Sequence, residues 1–528
     1  MSPHHRIKKL LIANRGEIAR RIIRAASALG IETVAVVSDP DRGSLAAREA
    51  GEAYELGGST ARDSYLNQDR VIEAAQQTGC DALHPGYGFL SEDGGFAERV
   101  IKAGLNWVGP APESIRALGV KTAARLAVSR AGVPITPGSE GGKADRELEQ
   151  AAAIIGYPVI IKAAAGGGGR GMRIVNEPGE MRESLERARA EALKNFGSEE
   201  VYLEKFIIEP RHVEVQLFGD KHGNLVHFGT RDCSAQRRHQ KLFEEAPAPF
   251  LGDETRERIH DAAIRAARSV GYYNAGTAEF LVRGTDFYFL EINTRIQVEH
   301  PVTEAVTGMD LVQLQLKVAM GEALPISQDQ VAFTGHAIEM RINAESVAEG
   351  FRPATGTIRE WKRASSVTVR EECGYEAGDT IPPFYDSLMS KVVVHGDTRA
   401  QALFKAFQFL KGYSIEGVPT TVPFHAWLLS NPRFQDDGID IGYVERAFTA
   451  DDAERAAALL IEDPHHRGAG FQERVVVGGI AVDLLHEEGG TFLAQPTGSN
   501  GDPLAPSTWR RSNVRQEALD AAARCAQG

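Results

Sequence analysis

Glu279 and Glu291 are equidistant from Thr285, in a stretch whose pattern predicts a hairpin: Thr277–Val282, a turn at Arg283–Asp286, then Phe287–Ile292. A symmetric hairpin sets the two carboxylates opposite each other, where like charges destabilise a strand pair. A divalent cation between them removes that repulsion, and hard carboxylate oxygens suit a magnesium ion that also holds phosphates. Asn293 falls on the same face and can complete the shell. The plainer alternative is a pair of solvated glutamates on an exposed face. Asn293-Thr294-Arg295-Ile296-Gln297-Val298-Glu299-His300-Pro301 follows directly. Alternation along this string directs Arg295, Gln297 and Glu299 toward one site. A guanidinium beside a carboxylate can grip a small oxyanion while a base removes its proton.

A second chemical signal is Lys162-Ala163-Ala164-Ala165-Gly166-Gly167-Gly168-Gly169-Arg170-Gly171-Met172. So many glycines cost backbone entropy when fixed, which makes sense for a lid that moves and whose backbone approaches phosphate oxygens. No Lys-Ser/Thr follows the glycines and no long helix opens there, so neither a P-loop nor a dinucleotide fingerprint fits. Lys162, at the end of an apolar strand, can reach phosphate. Arg231-Asp232-Cys233-Ser234-Ala235-Gln236-Arg237-Arg238-His239-Gln240-Lys241 is basic within an acidic chain. It reads either as a solvated charge run or as the wall of an anion site.

These residues need a scaffold. Lys8–Ala13, Glu17–Leu29 and Thr33–Val37 read as strand, helix and strand, which predicts a doubly wound parallel sheet. The turn Asn14-Arg15-Gly16-Glu17 and the loop His84-Pro85-Gly86-Tyr87-Gly88-Phe89-Leu90-Ser91-Glu92 each follow a short strand, where backbone N–H groups can meet an anion. A helix-rich stretch, Ser114–Gly132, leads to strands around Pro158–Lys162 and Met172–Val175. Strands at His212–Phe218, Leu225–Arg231 and Gly276–Asn293 follow. Beyond Phe448 the composition shifts: Asp451–Glu462 reads as a helix, Arg474–Leu485 as one or two strands, Gln495–Thr508 as a linker and Asn513–Cys525 as a terminal helix. At 528 residues the chain needs several domains, and a formal charge of -13 argues against general nucleic-acid binding. No apolar run suits a membrane span or a secretory signal, and four scattered cysteines form no disulfide framework or zinc-like pairs, so a cytoplasmic setting is expected.

Taken together, the glycine loop, the two-glutamate strand pair and the Asn293–Pro301 string resemble the biotin carboxylase branch of the ATP-grasp enzymes. The resemblance runs from about Ile7 to Phe448 and includes Ala13-Asn14-Arg15-Gly16-Glu17-Ile18, the His84–Glu92 loop and Arg341-Ile342-Asn343-Ala344-Glu345. It departs at Ala165, where the family extends its glycine run. The resemblance implies an α/β and α+β enzyme with four parts. Residues 1–118 would be an N-terminal parallel-sheet domain and 119–334 an ATP-grasp domain with a lid at about 134–205. Residues 335–448 would be a C-terminal domain and 449–528 an extension, either docking other subunits or stabilising the chain.

By resemblance, ATP, Mg2+ (or Mn2+) and bicarbonate would make carboxyphosphate, whose CO2 passes to biotin. This is the first half-reaction of an acyl-CoA or oxo-acid carboxylase. Lys121 and Lys162 would hold phosphates beneath Gly166, Gly167, Gly168 and Gly169. Glu204, Lys205, Phe206 and Ile207 would form the adenine hinge, with His212, Gln236 and His239 lining the pocket. Glu279, Glu291 and Asn293 would bind metal. Lys241, Arg295, Gln297 and the backbone of Val298 would hold bicarbonate, Glu299 would be the base, and Arg341 would stabilise the biotin enolate. No lysine follows Lys411, so biotin is expected on a separate biotin carboxyl carrier protein. A carboxyltransferase subunit and a homodimer within a larger complex are also implied. Another ATP-grasp ligase, activating a carboxylate as an acyl phosphate, is the enzymatic alternative; a nucleotide-binding scaffold without activity is the other.

Overall fold

The structure is a computed structural model. It describes residues 6–164, 172–363 and 369–460, and in the last segment the strands at 471–477, 480–487, 490–493 and 510–511. Gly166–Gly169, the expected linker at Gln495–Thr508 and the expected terminal helix at Asn513–Cys525 lie outside the described residues.

The N-terminal unit is the expected doubly wound sheet. Strands β1 (Lys9–Ile12), β2 (Glu32–Val37), β3 (Glu52–Glu55), β4 (Ala82–His84) and β5 (Asn106–Trp107) form one sheet in the order β3-β2-β1-β4-β5, with all neighbours parallel. Leu10, Leu11 and Ile12 are fully buried, as expected when helices cover both faces of a parallel sheet. Helix α1 (Gly16–Ala28) lays Ile18, Ile22 and Ala26 into one of its cores. The chain winds outward from β1 on one side and from β4 on the other. The β1/β4 junction is therefore the switch point, where such sheets bind ligands beyond their carboxyl ends.

A small antiparallel sheet follows, β6 (Val159–Ala163), β7 (Arg173–Val175) and β8 (Val201–Lys205), ordered β7-β6-β8. Its apolar face packs on Met181, Leu185, Ala188 and Ala192 of helix Met181–Phe196, a three-and-four spacing that makes one stripe.

The largest sheet is antiparallel and has eight strands. β9 (Arg211–Gly219), β10 (Leu225–Arg237), β11 (Gln240–Ala246), β12 (Asn274–Arg283), β13 (Asp286–Asn293) and β14 (His336–Asn343) join strands Leu388–Gly396 and Val369–Cys373 in the order β13-β12-β9-β10-β11-β14-(388–396)-(369–373). This sheet runs unbroken from the ATP-grasp stretch into the C-terminal stretch. Helix Ala450–Leu459 buries Ala453 and Ala456 in the same core as Phe424 and Leu428 of helix Val422–Leu429. The first helix of the extension is thus part of the C-terminal packing. Beyond it, Arg474–Leu485 resolves into two strands, Phe471–Val477 and Ile480–Glu487, which pair antiparallel and continue to Gly490–Leu493 and Arg510–Arg511. No helix among the described residues is long and apolar enough to cross a membrane.

Candidate active site

The β12–β13 hairpin brings Glu279 opposite Glu291, as the spacing predicts, but by a different route. The turn is the two-residue Gly284-Thr285, with Arg283 paired to Asp286, and symmetric pairing from there would oppose Glu279 to Leu290. A bulge between Glu279 and Phe280 shifts the register by one residue and restores the glutamate pair. On the other side of β12, Glu279 pairs with Glu214 of β9, and Glu214 with Arg231 of β10. Three carboxylates therefore lie in one row across β13, β12 and β9, a placement that needs cations.

Lys241 on β11 supplies one. Its Nζ lies 2.6 Å from Glu214 Oε2, 2.9 Å from Glu279 Oε1, 2.7 Å from Glu299 Oε1 and 3.1 Å from Gln297 Oε1. Burial works against its charge, but the surrounding carboxylates hold its pKa well above the usual lysine value. Arg231, fully buried, pairs with Glu214 and donates to Gln216 Oε1 at 2.7 Å. Glu279 is also buried. Its Oε1 accepts from Asn293 Nδ2 at 2.8 Å and Gln297 Nε2 at 3.0 Å, and its Oε2 faces His212 Nε2 at 3.2 Å. Burial alone would raise its pKa, yet Lys241 and His212 hold it well below the carboxylate range. Glu291 is more open, with Lys121 Nζ 3.3 Å away. Ionised carboxylate and amide oxygens gathered on one face, two of them held by lysines from other elements, are a hard donor set that fits Mg2+ or Mn2+. Among the described residues, two groups of three bring potential ligand atoms within 4.8 Å of one another: His212, Glu214 and Glu279, and Glu214, Cys233 and Glu299.

Arg295, Gln297 and Glu299 do converge, though not as one face of a continuing strand. β13 stops at Asn293, and residues 294–299 form a turn into helix His300–Thr307. Glu299 sits at the N-cap, where the helix dipole favours a carboxylate. Its Oε2 accepts from Arg341 Nη2 at 2.8 Å, and Arg341 Nε donates to Glu244 Oε1 at 2.6 Å. Burial would raise the Glu299 pKa; Lys241, Arg341 and Arg231 outweigh it and keep Glu299 ionised. Arg295 Nε reaches Glu92 Oε2 at 3.0 Å, and Glu92 Oε1 accepts from the Thr294 N–H. The His84–Glu92 loop is thereby tied to this turn.

Lys121, Lys162, Glu204, Lys205, Ile207, His212, Gln236, His239 and Lys241 line a cavity of about 580 Å³ together with Glu279, Glu291, Asn293, Arg295, Gln297, Val298, Glu299 and Arg341. Within it, the Glu204 carboxylate is taken up by Lys162 Nζ at 2.8 Å and Thr136 Oγ1 at 2.8 Å. The Lys205 ammonium bonds to the carbonyls of Gly156 and Tyr157. A second cavity of about 390 Å³ lies over the β1/β4 switch point, lined by Asn14, Arg15, Glu17, Tyr87, Gly88 and Phe89. Asn14 Nδ2 donates to the carbonyls of Pro85 and Tyr87, both at 2.7 Å, and Arg15 forms a two-pronged pair with Asp41 at 2.7 and 2.8 Å. The Asn14–Glu17 turn is thus a wall of this cavity, braced by its own side chains. Gln240, Arg295, Val298, Arg341 and Asp386 line both cavities.

Three family models match the chain in order. They are the biotin carboxylase N-terminal domain at residues 6–115, the carbamoyl-phosphate synthase L chain ATP-binding domain at 121–327 and the biotin carboxylase C-terminal domain at 339–446. Biotin carboxylase 1 of Bacillus subtilis is 47% identical over 444 residues, covering 83% of this chain and 98% of that protein. The chain belongs to the biotin carboxylase family. It is also 50% identical over 444 residues to the methylcrotonoyl-CoA carboxylase subunit alpha of Oryza sativa, covering 83% of this chain and 60% of that longer protein. Among solved structures, the biotin carboxylase domain of Hydrogenobacter thermophilus 2-oxoglutarate carboxylase, in complex with MgADP, ADP and bicarbonate, has a TM-score of 0.81 and 43% identity. That match covers 84% of this chain and 98% of that one.

Glu214 and Glu244 escape the sequence reading, and Arg231, Glu92 and Glu17 appear in it only within longer strings, without their charge partners. A signal for the first was present. His212, Glu214 and Gln216 alternate with Val213, Val215 and Leu217, a period-two pattern that marks one polar face of a strand. Glu244 carries no such mark, because its neighbour Glu245 is equally acidic and points to the other face.

Proposed function

We propose that the chain catalyses ATP-dependent carboxylation of biotin with bicarbonate, by way of carboxyphosphate. The observation that carries this reading is the shared wall: Arg295, Val298 and Arg341 border both a cavity with phosphate- and metal-type residues and a second cavity at the switch point. A reaction that makes an intermediate from one substrate pair and hands part of it to a third substrate needs that arrangement. The lysines Lys121 and Lys162 would bind phosphate oxygens beneath the glycine run Gly166–Gly169, and the segment from Glu204 to Ile207 would face adenine beside His212, Gln236 and His239. Glu279, Glu291 and Asn293 would hold Mg2+, which when bound neutralises charge on the phosphates. Bicarbonate would take Lys241, Arg295, Gln297 and the Val298 backbone. An incoming anion competes with Glu299 for Lys241 and Arg341. The basicity of Glu299 therefore rises as the substrate arrives, and its carboxylate accepts the bicarbonate proton. Arg341 would then stabilise the enolate of biotin in the second cavity.

The same reading divides the chain into 1–118, 119–334, 335–448 and 449–528. Its partners would be a biotin carboxyl carrier protein and carboxyltransferase subunits, with a homodimer at the centre of the complex. Cys80, Cys233 and Cys373 are free thiols, which supports a reducing, cytoplasmic setting. The extension is proposed to dock the other subunits. Because Ala453 and Ala456 belong to the C-terminal core, the test is truncation after Leu460 rather than after Phe448, with free-biotin turnover kept and co-purification of partners lost. The decisive assay for the reaction is ADP release from ATP, with bicarbonate and free biotin each added or withheld. Release that needs bicarbonate and rises with biotin is expected. Release that ignores both, or needs a different carboxylate, would overturn the proposal in favour of another ATP-grasp ligase.

A further inference from the structure

Lys391 lies in strand Leu388–Gly396, opposite Arg341 in the ladder with β14, and is completely buried. It lines neither cavity. A buried ammonium is costly, and an apolar side chain of similar volume is often neutral or stabilising in such a place. Its presence calls for a reason beyond packing.

Two contacts supply it. Lys391 Nζ donates to the Val298 carbonyl at 2.8 Å and lies 3.1 Å from Glu17 Oε2. The Val298 carbonyl belongs to the peptide that joins Val298 to Glu299. Holding it fixes the plane of that peptide and hence the direction in which Glu299 leaves the backbone at the start of helix His300–Thr307. From the other side, Glu17 in the first turn of α1 accepts a hydrogen bond from the Tyr87 hydroxyl. Glu17, Tyr87 and Val298 all line the second cavity. One ammonium behind the wall thus joins the first helix of the parallel sheet, the loop after β4 and the turn that carries Glu299.

Other charges near it are accounted for. Glu372 pairs with Arg370 and Arg24. Glu339, two residues before Arg341 and completely buried, has no hydrogen-bond partner on either oxygen among the described residues, and burial pushes its pKa well above the usual range. Glu17, with Oε2 3.1 Å from Lys391 Nζ, is the carboxyl group paired with Lys391.

We propose that Lys391 is a positioning residue: through the Val298 carbonyl and the Glu17–Tyr87 contact it aligns Glu299 with the wall of the second cavity. This rests on the reading of Glu299 as the base that deprotonates bicarbonate. The test compares the full chain with Lys391→Met, Lys391→Arg and the double variant Lys391→Met/Glu17→Gln, measuring kcat and the KM values for bicarbonate and ATP. The double variant removes both charges together and keeps the test open if Lys391→Met alone fails to fold. A misplacement of about 1 Å at a reacting group costs about 100-fold in rate. The expected result is a loss of that order in kcat/KM for bicarbonate in Lys391→Met and in the double variant, with the KM for ATP changed less than about twofold, and partial recovery in Lys391→Arg. Near-normal turnover in the double variant would show that Lys391 only neutralises Glu17 and would overturn the proposal, as would an equal loss in ATP affinity. Absence of bicarbonate-dependent ADP release in the unmodified chain would instead overturn the functional reading, so the two failures are distinguishable.

Discussion

The five-stranded parallel sheet and the eight-stranded antiparallel sheet both contribute to the site, but they do so from different parts of their strands. In the parallel sheet the central strand β1 is apolar, with Leu10, Leu11 and Ile12 fully buried, and the polar groups of the site sit beyond the carboxyl ends, on the turn and first helical turn after β1 (Asn14, Arg15, Glu17) and on the loop after β4 (Tyr87). In the antiparallel sheet the strands themselves carry the chemistry, on one face. His212, Glu214, Arg231, Lys241, Glu244, Glu279 and Arg341 all project from within β9–β12 and β14. A sheet covered on both sides has no face to spare for charge, so its function moves to its ends. A sheet whose second face meets a cavity can place buried charges at fixed spacing on rigid backbone, provided they neutralise one another. Rigid placement suits deprotonation and phosphoryl chemistry; loop placement suits admission of a bulkier acceptor.

The comparison breaks most sharply at Glu299. Glu299→Gln keeps the side chain's shape and removes its basicity, so bicarbonate-dependent ATP cleavage should fall by at least about 100-fold, while ATP binding measured by calorimetry stays nearly intact. Normal turnover would remove Glu299 as the base. Arg341→Ala comes next, since Arg341 belongs to the strand face and also borders the loop-built cavity. Carboxylation of free biotin should drop by about 100-fold, well beyond the loss in ATP affinity. Equal losses in both would make Arg341 a purely structural partner of Glu244 and Glu299.

Much of this division is legible in the sequence. The βαβ alternation gives the parallel sheet, and the pattern about the turn gives the hairpin that carries Glu279 and Glu291, because both follow from local periodicity. What local pattern cannot carry is register. The bulge at Glu279/Phe280 lies beside the edge contacts of the Phe280 ring with Phe287 and Phe289, and without it the glutamates would miss each other. Nor can it carry contacts between distant segments: Glu92 with Arg295, Glu17 with Lys391, Glu244 with Arg341. Each joins residues far apart in the chain, and each partner taken alone is an ordinary charged residue. The Arg295–Glu299 string illustrates both sides. Its residue types are what suggest an oxyanion site, while its geometry is a turn into a helix N-terminus rather than the alternating strand that the spacing suggests.

A smaller effect is expected from the loop side. Gly86 has φ +65°, and a β-carbon there would sit 2.8 Å from Asn14 Nδ2. Gly86→Ala should strain the loop by about 1 kcal/mol or somewhat more and push Asn14 off the Pro85 and Tyr87 carbonyls. The KM for biotin should rise several-fold with little change in the KM for ATP; a matching rise for ATP would mean that the loop serves both cavities alike.

The finest test lies within one strand, at neighbouring residues on opposite faces. Glu244 faces the site, and burial raises its pKa to about 7 against the attraction of Arg341. Glu245 faces the C-terminal core. Burial opposes its charge too, but Arg399 and His336 bring its pKa down to about 2. The two should leave opposite marks on stability. Relative to an ordinary glutamate at 4.5, Glu245 contributes stability that is present above pH 4.5 and lost as the pH falls toward 2. Glu244 contributes in the other sense: its protonated form suits the fold, and that contribution is lost as the pH rises from 4.5 through 7. Denaturant titrations across this range should show Glu245→Gln flattening the acid limb and Glu244→Gln flattening the decline toward neutrality. The same limb responding to both variants would mean that the two faces of β11 are not electrostatically separate, and the contrast between a charged working face and a structural face would fail at that strand.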